Sequence, residues 1–203
     1  MTMQLQDVRQ IVRESLAVKQ RVLDDEALLA ATLEVAQVCE RALRAGNKVM
    51  LAGNGGSAAD AQHIAAELVA RFEFDRPGLP ALSLSTDTSM LTAIGNDYGY
   101  EYVFSRQVEA NGQRGDVLIG LSTSGNSANV LKAVAAAQQK GITTVALCGT
   151  GGKLREACDY ALCVPSNNTA RIQESHILLG HVICSLVEDA LFGASHRPPA
   201  KAP

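Results

Sequence analysis

The chain has 203 residues, 47% of them hydrophobic, and a formal net charge of -3. That length and apolar content suit one domain with a full core. With no basic surplus, net charge supplies no surface for nucleic acid or an anionic membrane, so any phosphate must be gripped locally.

The opening MTMQLQDVRQIVRESL carries charges where a signal peptide needs an apolar core. No run reads as a membrane span, and a cytoplasmic protein is expected. Apolar side chains recur at helical spacing over residues 3–20 (Val8, Ile11, Val12, Leu16) and 25–45 (Leu28, Leu29, Leu33, Val35, Val38, Leu43), predicting a helical pair within residues 1–45. Beyond Gly46 the pattern changes to short apolar runs, KVMLAG, LPALSLS, DVLIGLS, TTVALCG and YALCVPS. Strands apolar on both sides and spaced by helical segments mark a parallel sheet covered on both faces. The expectation is an α/β fold, a three-layer αβα sandwich on a five-stranded parallel sheet. Intervening helices are predicted near 57–74, 101–111, 126–140 and 153–158, with a last one over 169–192. A single domain over 1–193 follows, with a Pro-rich, disordered tail at 194–203 in which His196 has no role.

The last helix is apolar nearly all round, from Ile172 through Leu179, Ile183 and Val187 to Leu191. Such a helix is central or lies between subunits, which predicts a homo-oligomer. Arg171, Gln173, Glu174, His176 and His181 are set into it and need partners, whether a ligand, a metal or each other. His176 is expected to be structural. The five cysteines, Cys39, Cys148, Cys158, Cys163 and Cys184, contain no CxxC pair and read as buried thiols.

Two loops carry the chemistry. In KVMLAGNGGSAADAQHIAAE a strand passes through Gly53-Asn54-Gly55-Gly56-Ser57 into a helix. Such a loop either makes an ordinary tight turn or lets backbone N–H groups meet an anion. His63 and Glu67, four residues apart, share one helix face roughly 6 Å apart. After the third strand, Gly120-Leu121-Ser122-Thr123-Ser124-Gly125-Asn126-Ser127 brings hydroxyls and N–H groups to a second helix start. Two such loops at the carboxyl ends of strands lie where open α/β sheets bind ligands. Gly53, Gly55 and Ala58 satisfy G-x-G-x-x-A, but the acidic residue of a dinucleotide fold is missing, Asp87 coming too late. No Gly-Lys-Ser/Thr makes a P-loop. A small phosphorylated ligand held by hydroxyls remains.

GNGGSAADAQHIAAE, TAIGNDYGYEYVFSRQVEA, LSTSGNSANVLKA and ARIQESHILLGH together resemble the sugar isomerase (SIS) domain family, most closely its heptose-phosphate isomerases. The resemblance runs from about residue 48 to 190. It implies an aldose–ketose isomerase that converts sedoheptulose 7-phosphate to D-glycero-D-manno-heptose 7-phosphate through an enediol, feeding heptose to a surface glycan such as lipopolysaccharide. It implies one Zn2+ per subunit on His63, Glu67, Gln173 and His181, with Glu67 and His181 as the catalytic pair. Substrate residues would be Asn54, Gly55, Gly56, Ser57, Glu67, Arg71, Asn96, Asp97, Ser122, Thr123, Ser124, Ser127 and Gln173, in a homotetramer with the site near a subunit interface. The stretch SNNTA before Arg171 lacks an Asp that some relatives have. Gln173 and His181 stand about 12 Å apart along one helix and about 80° around it, so a shared ion implies groups from more than one subunit. The family also includes sugar-phosphate sensors, isomerases for other sugar phosphates, and a non-enzymatic adaptor for the bacterial replication initiator. Loss of the glutamate on the first site helix is expected to mark that adaptor, and Glu67 is present here.

Overall fold

A computed structural model describes residues 3–196. Two long helices, α1 (Leu5–Asp24) and α2 (Glu26–Arg44), meet at Asp25, whose carboxylate accepts from the Leu28 N–H and starts the second. The chain then alternates: β1 (Val49–Gly53), α3 (Gly56–Val69), β2 (Ala81–Ser83), α4 (Thr88–Asp97), a single 3₁₀ turn (Tyr100–Tyr102), α5 (Ser105–Asn111), β3 (Val117–Ser122), α6 (Ala128–Gln139), β4 (Thr143–Cys148), α7 (Leu154–Ala157), β5 (Tyr160–Cys163) and α8 (Thr169–His196).

All strand pairs are parallel, in the order β2-β1-β3-β4-β5. Every residue of β1 and β3 is buried, which is what continuous apolar strands between two helical layers require. Alternation divides the sheet into two cores. Val49, Leu51, Val117, Ile119, Val145 and Leu147 face the helices α2, α3 and α8. On the other side Met50, Ala52, Leu118, Ala146 and Cys148 meet α5, α6 and α7. The order reverses between β1 and β3, and there the two loops emerge side by side, since Gly53 is in register with Leu121.

Differences from the sequence reading have local causes. The helix predicted at 101–111 is only a 3₁₀ turn followed by α5, and α4 lies before it unforeseen. No residue of α4 is fully buried, and only the Leu91 and Ile94 side chains pack in part against the core, too short a stripe to reveal it; Asp87 starts it by accepting from the Met90 N–H at 2.9 Å. The helix expected over 57–74 stops at Val69, where the chain turns back so that the Leu79 N–H reaches the Leu68 carbonyl. At the other end α8 runs to His196, whose ring stacks on Phe74 at 4.4 Å, so the tail does not begin at 194 and His196 has a packing role. The remainder of that tail lies outside the described residues. Contrary to the sequence reading, α8 is also long and apolar enough to cross a membrane by length and composition. Here Ile172, Leu179, Ile183 and Val187 pack it into the α2/α3 side of the core.

Candidate active site

The first loop leaves β1 through Gly53 and Asn54, and α3 begins at Gly56. Gln173, in the first turns of α8, lies against Gly56 so closely that any side chain at 56 would strike it. Glycine there leaves room for the Gln173 amide against the loop. Two turns on, the helices approach again, because Gly180 has no side chain; a Cβ there would stand 2.5 Å from Ile64 Cδ1. That contact brings their neighbours His181 and His63 together, Nε2 to Nε2, at 2.9 Å, with the rings tilted by 51°. Glu67, one turn further along α3, places Oε1 3.3 Å from His63 Nε2.

His63, Glu67 and His181 therefore converge, each offering a ligand atom within 4.8 Å of the others. Two imidazoles and a carboxylate are an ordinary donor set for a divalent transition metal. At 2.9 Å the two Nε2 atoms must either share a proton or share a cation, since two N–H groups or two lone pairs would repel. The group is reachable from solvent, with the His63 and Glu67 side chains 50% and 25% exposed.

The segment after α3 braces this cluster. The Arg76 guanidinium and Glu188 carboxylate form a buried pair at 2.9 Å; Arg76 also donates to the carbonyls of Glu67 and Leu68, while Glu188 accepts from the Phe72 and Glu73 N–H groups. The backbone so held sets the Phe72 ring 5.4 Å from His181.

The second loop is tied to the first by side chains. Asn54 and Asn129 exchange two amide hydrogen bonds of 2.9 and 2.8 Å, and the Tyr100 hydroxyl reaches Asn54 Oδ1 at 3.3 Å. Ser122 and Ser127 join hydroxyls at 2.8 Å across the turn. Thr123, Ser124 and Asn126 line a cleft of about 340 Å³ with Thr150, Gly151 and Gly152 of the loop after β4. This hydroxyl-rich pocket at the carboxyl ends of the strands, near the start of α6, suits an anion without a lysine.

Of the residues anticipated from sequence, three of the four metal positions meet in one chain. The Gln173 side-chain amide packs on Gly56, at the start of the helix that carries His63 and Glu67. His63, Glu67 and His181 meet without a second subunit; the expectation of groups from more than one subunit rests on the separation of Gln173 and His181. Asn54, Gly55, Gly56 and Ser57 lie in the first loop, and Ser122, Thr123, Ser124 and Ser127 in the second. Arg71 is exposed, and Asn96 and Asp97, bonded to each other at 2.8 Å, end the exposed α4.

Sequence reasoning missed two residues. Asn129 lies one residue inside α6 and shows its role only as the partner of Asn54. Asp60 shares the face of His63 and Glu67 at the spacing i, i+3, i+7, a signal that was available. Its Oδ2 is buried without a hydrogen-bond partner among the described residues, and burial raises the carboxyl to about 6 against the pull of His63.

A doubly covered parallel sheet with hydroxyl loops at its switch point and a His/Glu/His cluster beside them defines an α/β protein shaped to hold a small anion next to a candidate metal site. The model of the SIS domain family matches residues 11–149. The chain is 59% identical over 186 residues to the phosphoheptose isomerase of Aneurinibacillus thermoaerophilus, covering 91% of this chain and 94% of that one. To that of Sulfurimonas denitrificans it is 56% identical over 187 residues, covering 92% and 96%. Among solved structures, phosphoheptose isomerase from Neisseria gonorrhoeae superposes with a TM-score of 0.86 at 46% identity, covering 92% of this chain and all of that one. The Francisella tularensis enzyme does so with 0.88 at 36%, covering 93% and all of it. The chain belongs to the SIS-domain family, in its phosphoheptose isomerase branch.

Proposed function

We propose that this chain is an aldose–ketose isomerase acting on sedoheptulose 7-phosphate to give D-glycero-D-manno-heptose 7-phosphate, the first step toward an activated ADP- or GDP-heptose. One observation carries the reading: a carboxylate and two imidazoles converge within 4.8 Å where the helix that leaves the first loop meets α8, accessible to a ligand whose anionic end the two loops can hold.

The Ser122–Ser127 turn and the first loop grip the phosphate with hydroxyls and N–H groups. Glu67 takes the proton from the carbon beside the carbonyl of the open-chain sugar and returns it to the neighbouring carbon. His181 moves the proton between the two oxygens, work suited to an imidazole whose ordinary pKa lies near neutrality. His63 orients Glu67 through the contact at 3.3 Å. Zn2+ is the metal we assign to His63, Glu67 and His181; when bound it polarises the carbonyl and steadies negative charge on the sugar oxygens. Gln173, whose amide packs on Gly56 of the first loop, is the fourth position we assign to the metal and substrate site. A cytoplasmic homotetramer is the assembly we assign. Glu67 paired with His63 favours the enzyme over an adaptor lacking that carboxylate.

Glu67→Gln and His181→Gln should each abolish isomerisation of sedoheptulose 7-phosphate, followed by NMR of the sugar, while calorimetry still detects binding of the phosphate ester. Turnover at the wild-type rate in both variants would refute the assignment.

A further inference from the structure

Outside the site, two thiols stand together. Cys148 ends β4 and Cys163 ends β5; the two residues are register partners, and their Sγ atoms lie 3.5 Å apart. Both side chains point to the α6/α7 side of the sheet. Neighbouring strands run roughly 4.8 Å apart, within the Cα separation a disulfide spans, so rotating the side chains to close the sulfurs by about 1.5 Å completes the bond.

The two thiols are unequal. Cys148 is fully buried, whereas Cys163 is half-buried and lines a cleft of about 570 Å³ with Arg155, Thr150 and Asp25. The Cys148 hydrogen bond, with Arg155 adding to it, holds Cys163 down at about 7 against its burial; the same hydrogen bond and burial push Cys148 far up. Cys163 thus has the character of an attacking thiolate and Cys148 that of a resolving thiol. The other cysteines do not compete. Burial pushes Cys39, Cys158 and Cys184 each up to about 12. Cys158 sits beside Thr144, four residues and about 13 Å back along β4 from Cys148.

We propose that Cys148 and Cys163 are an oxidisable dithiol, a modification site at which hydrogen peroxide entering the Arg155 cleft is reduced and the ends of β4 and β5 become cross-linked. Cys163 Sγ attacks one peroxide oxygen and the O–O bond breaks. The departing oxygen leaves as water after taking up the proton that Cys163 had released to solvent. Cys148 Sγ then displaces the sulfenic hydroxyl, which leaves as a second water with the Cys148 proton. Two thiols give up two electrons and the peroxide accepts them.

The test treats the reduced full chain with a near-stoichiometric amount of hydrogen peroxide. Intact mass should fall by about 2 Da and recover with dithiothreitol. Trypsin cuts after Lys153 and Arg155, so a non-reducing digest should join the peptide 141–153 to 156–171. Cys158 shares the second peptide, and the cross-link should persist in Cys158→Ser. In Cys148→Ser, Cys163 should stop at a sulfenic acid that dimedone traps. A cross-link through Cys158 or between two chains would overturn the proposal, as would oxidation of Cys163 no faster than that of Cys39 and Cys184. The wild-type peptide map decides the matter if the Cys148 variant does not fold.

Discussion

His176 is a whole imidazole enclosed in the fold, with no exposed surface and, among the described residues, no hydrogen bond of proper geometry to either ring nitrogen. Burial pushes its pKa down to about 4, with the nearby Cys148 backbone opposing. The native ring is therefore neutral where the unfolded one, near 6.5, begins to charge. Its contribution to stability is intact above pH 6.5 and is lost as pH falls toward 4, because over that window only the unfolded chain takes up the proton. Between pH 7.5 and 5 the loss from this residue should be about 2 kcal/mol, at 1.36 kcal/mol per unit below 6.5. Urea unfolding at the two pH values measures it. His176→Leu, neutral throughout, should show a correspondingly smaller drop, and an equal drop in both proteins would show that the ring does not titrate as its burial requires. The expectation of a structural histidine thus acquires a measurable energy.

At the scale of elements, the segment between α3 and β2 is held by charge. Burial alone would raise the Glu188 carboxyl, but the Phe72 and Glu73 N–H donors and the Arg76 guanidinium outweigh it and hold it below the usual range. A depressed carboxylate stabilises above its unfolded pKa, and that stability disappears as pH falls through the folded value. Glu188→Gln should cost about 3 kcal/mol at pH 7, since it leaves the Arg76 guanidinium buried and unpaired. The gap between variant and wild type should close on acidification below about pH 4.5. Chemical denaturation across that range checks both statements, and a gap independent of pH would mean that the pair contributes through shape alone. None of this bracing was readable in sequence, because Arg76 and Glu188 are 112 positions apart and look like ordinary surface charges. The strands and both loops were readable, because a buried parallel strand needs an apolar run and a turn into a helix needs glycine and serine. The pairing of His63 with Glu67 was equally plain, a matter of one helical turn. Convergence of His181 on them was implied only by family resemblance, since it depends on where Gly180 lets two helices touch. The helix α4 was invisible for the opposite reason: it is short and buries only the Leu91 and Ile94 side chains, and those in part, too little for a periodicity to report.

For the whole molecule, the apolar surface left open sets the problem. On α1, Leu5, Val8, Val12 and Leu16 follow one another at helical spacing and are 66%, 57%, 52% and 60% exposed. Leu33 of α2 and Leu186 of α8 line a separate shallow cleft, with Val182 also uncovered on α8. A contiguous stripe of this kind is uncommon on a monomer. Two self-complementary patches on one subunit close into a tetramer with crossed two-fold axes, whereas one patch gives only a dimer. Sedimentation equilibrium should therefore find four chains of 21.4 kDa in the wild type. Val12→Glu combined with Leu16→Glu places like charges on the α1 stripe and should reduce the assembly to dimers, with the helical circular dichroism spectrum retained. If a second copy supplies Gln173 or another site group across the α1 contact, kcat should fall at least about tenfold in those dimers, the loss expected from removing one aligned catalytic interaction of roughly 1.4 kcal/mol. Full activity in a dimer would instead show that no working group crosses the α1 contact, which would then serve only to cover apolar surface.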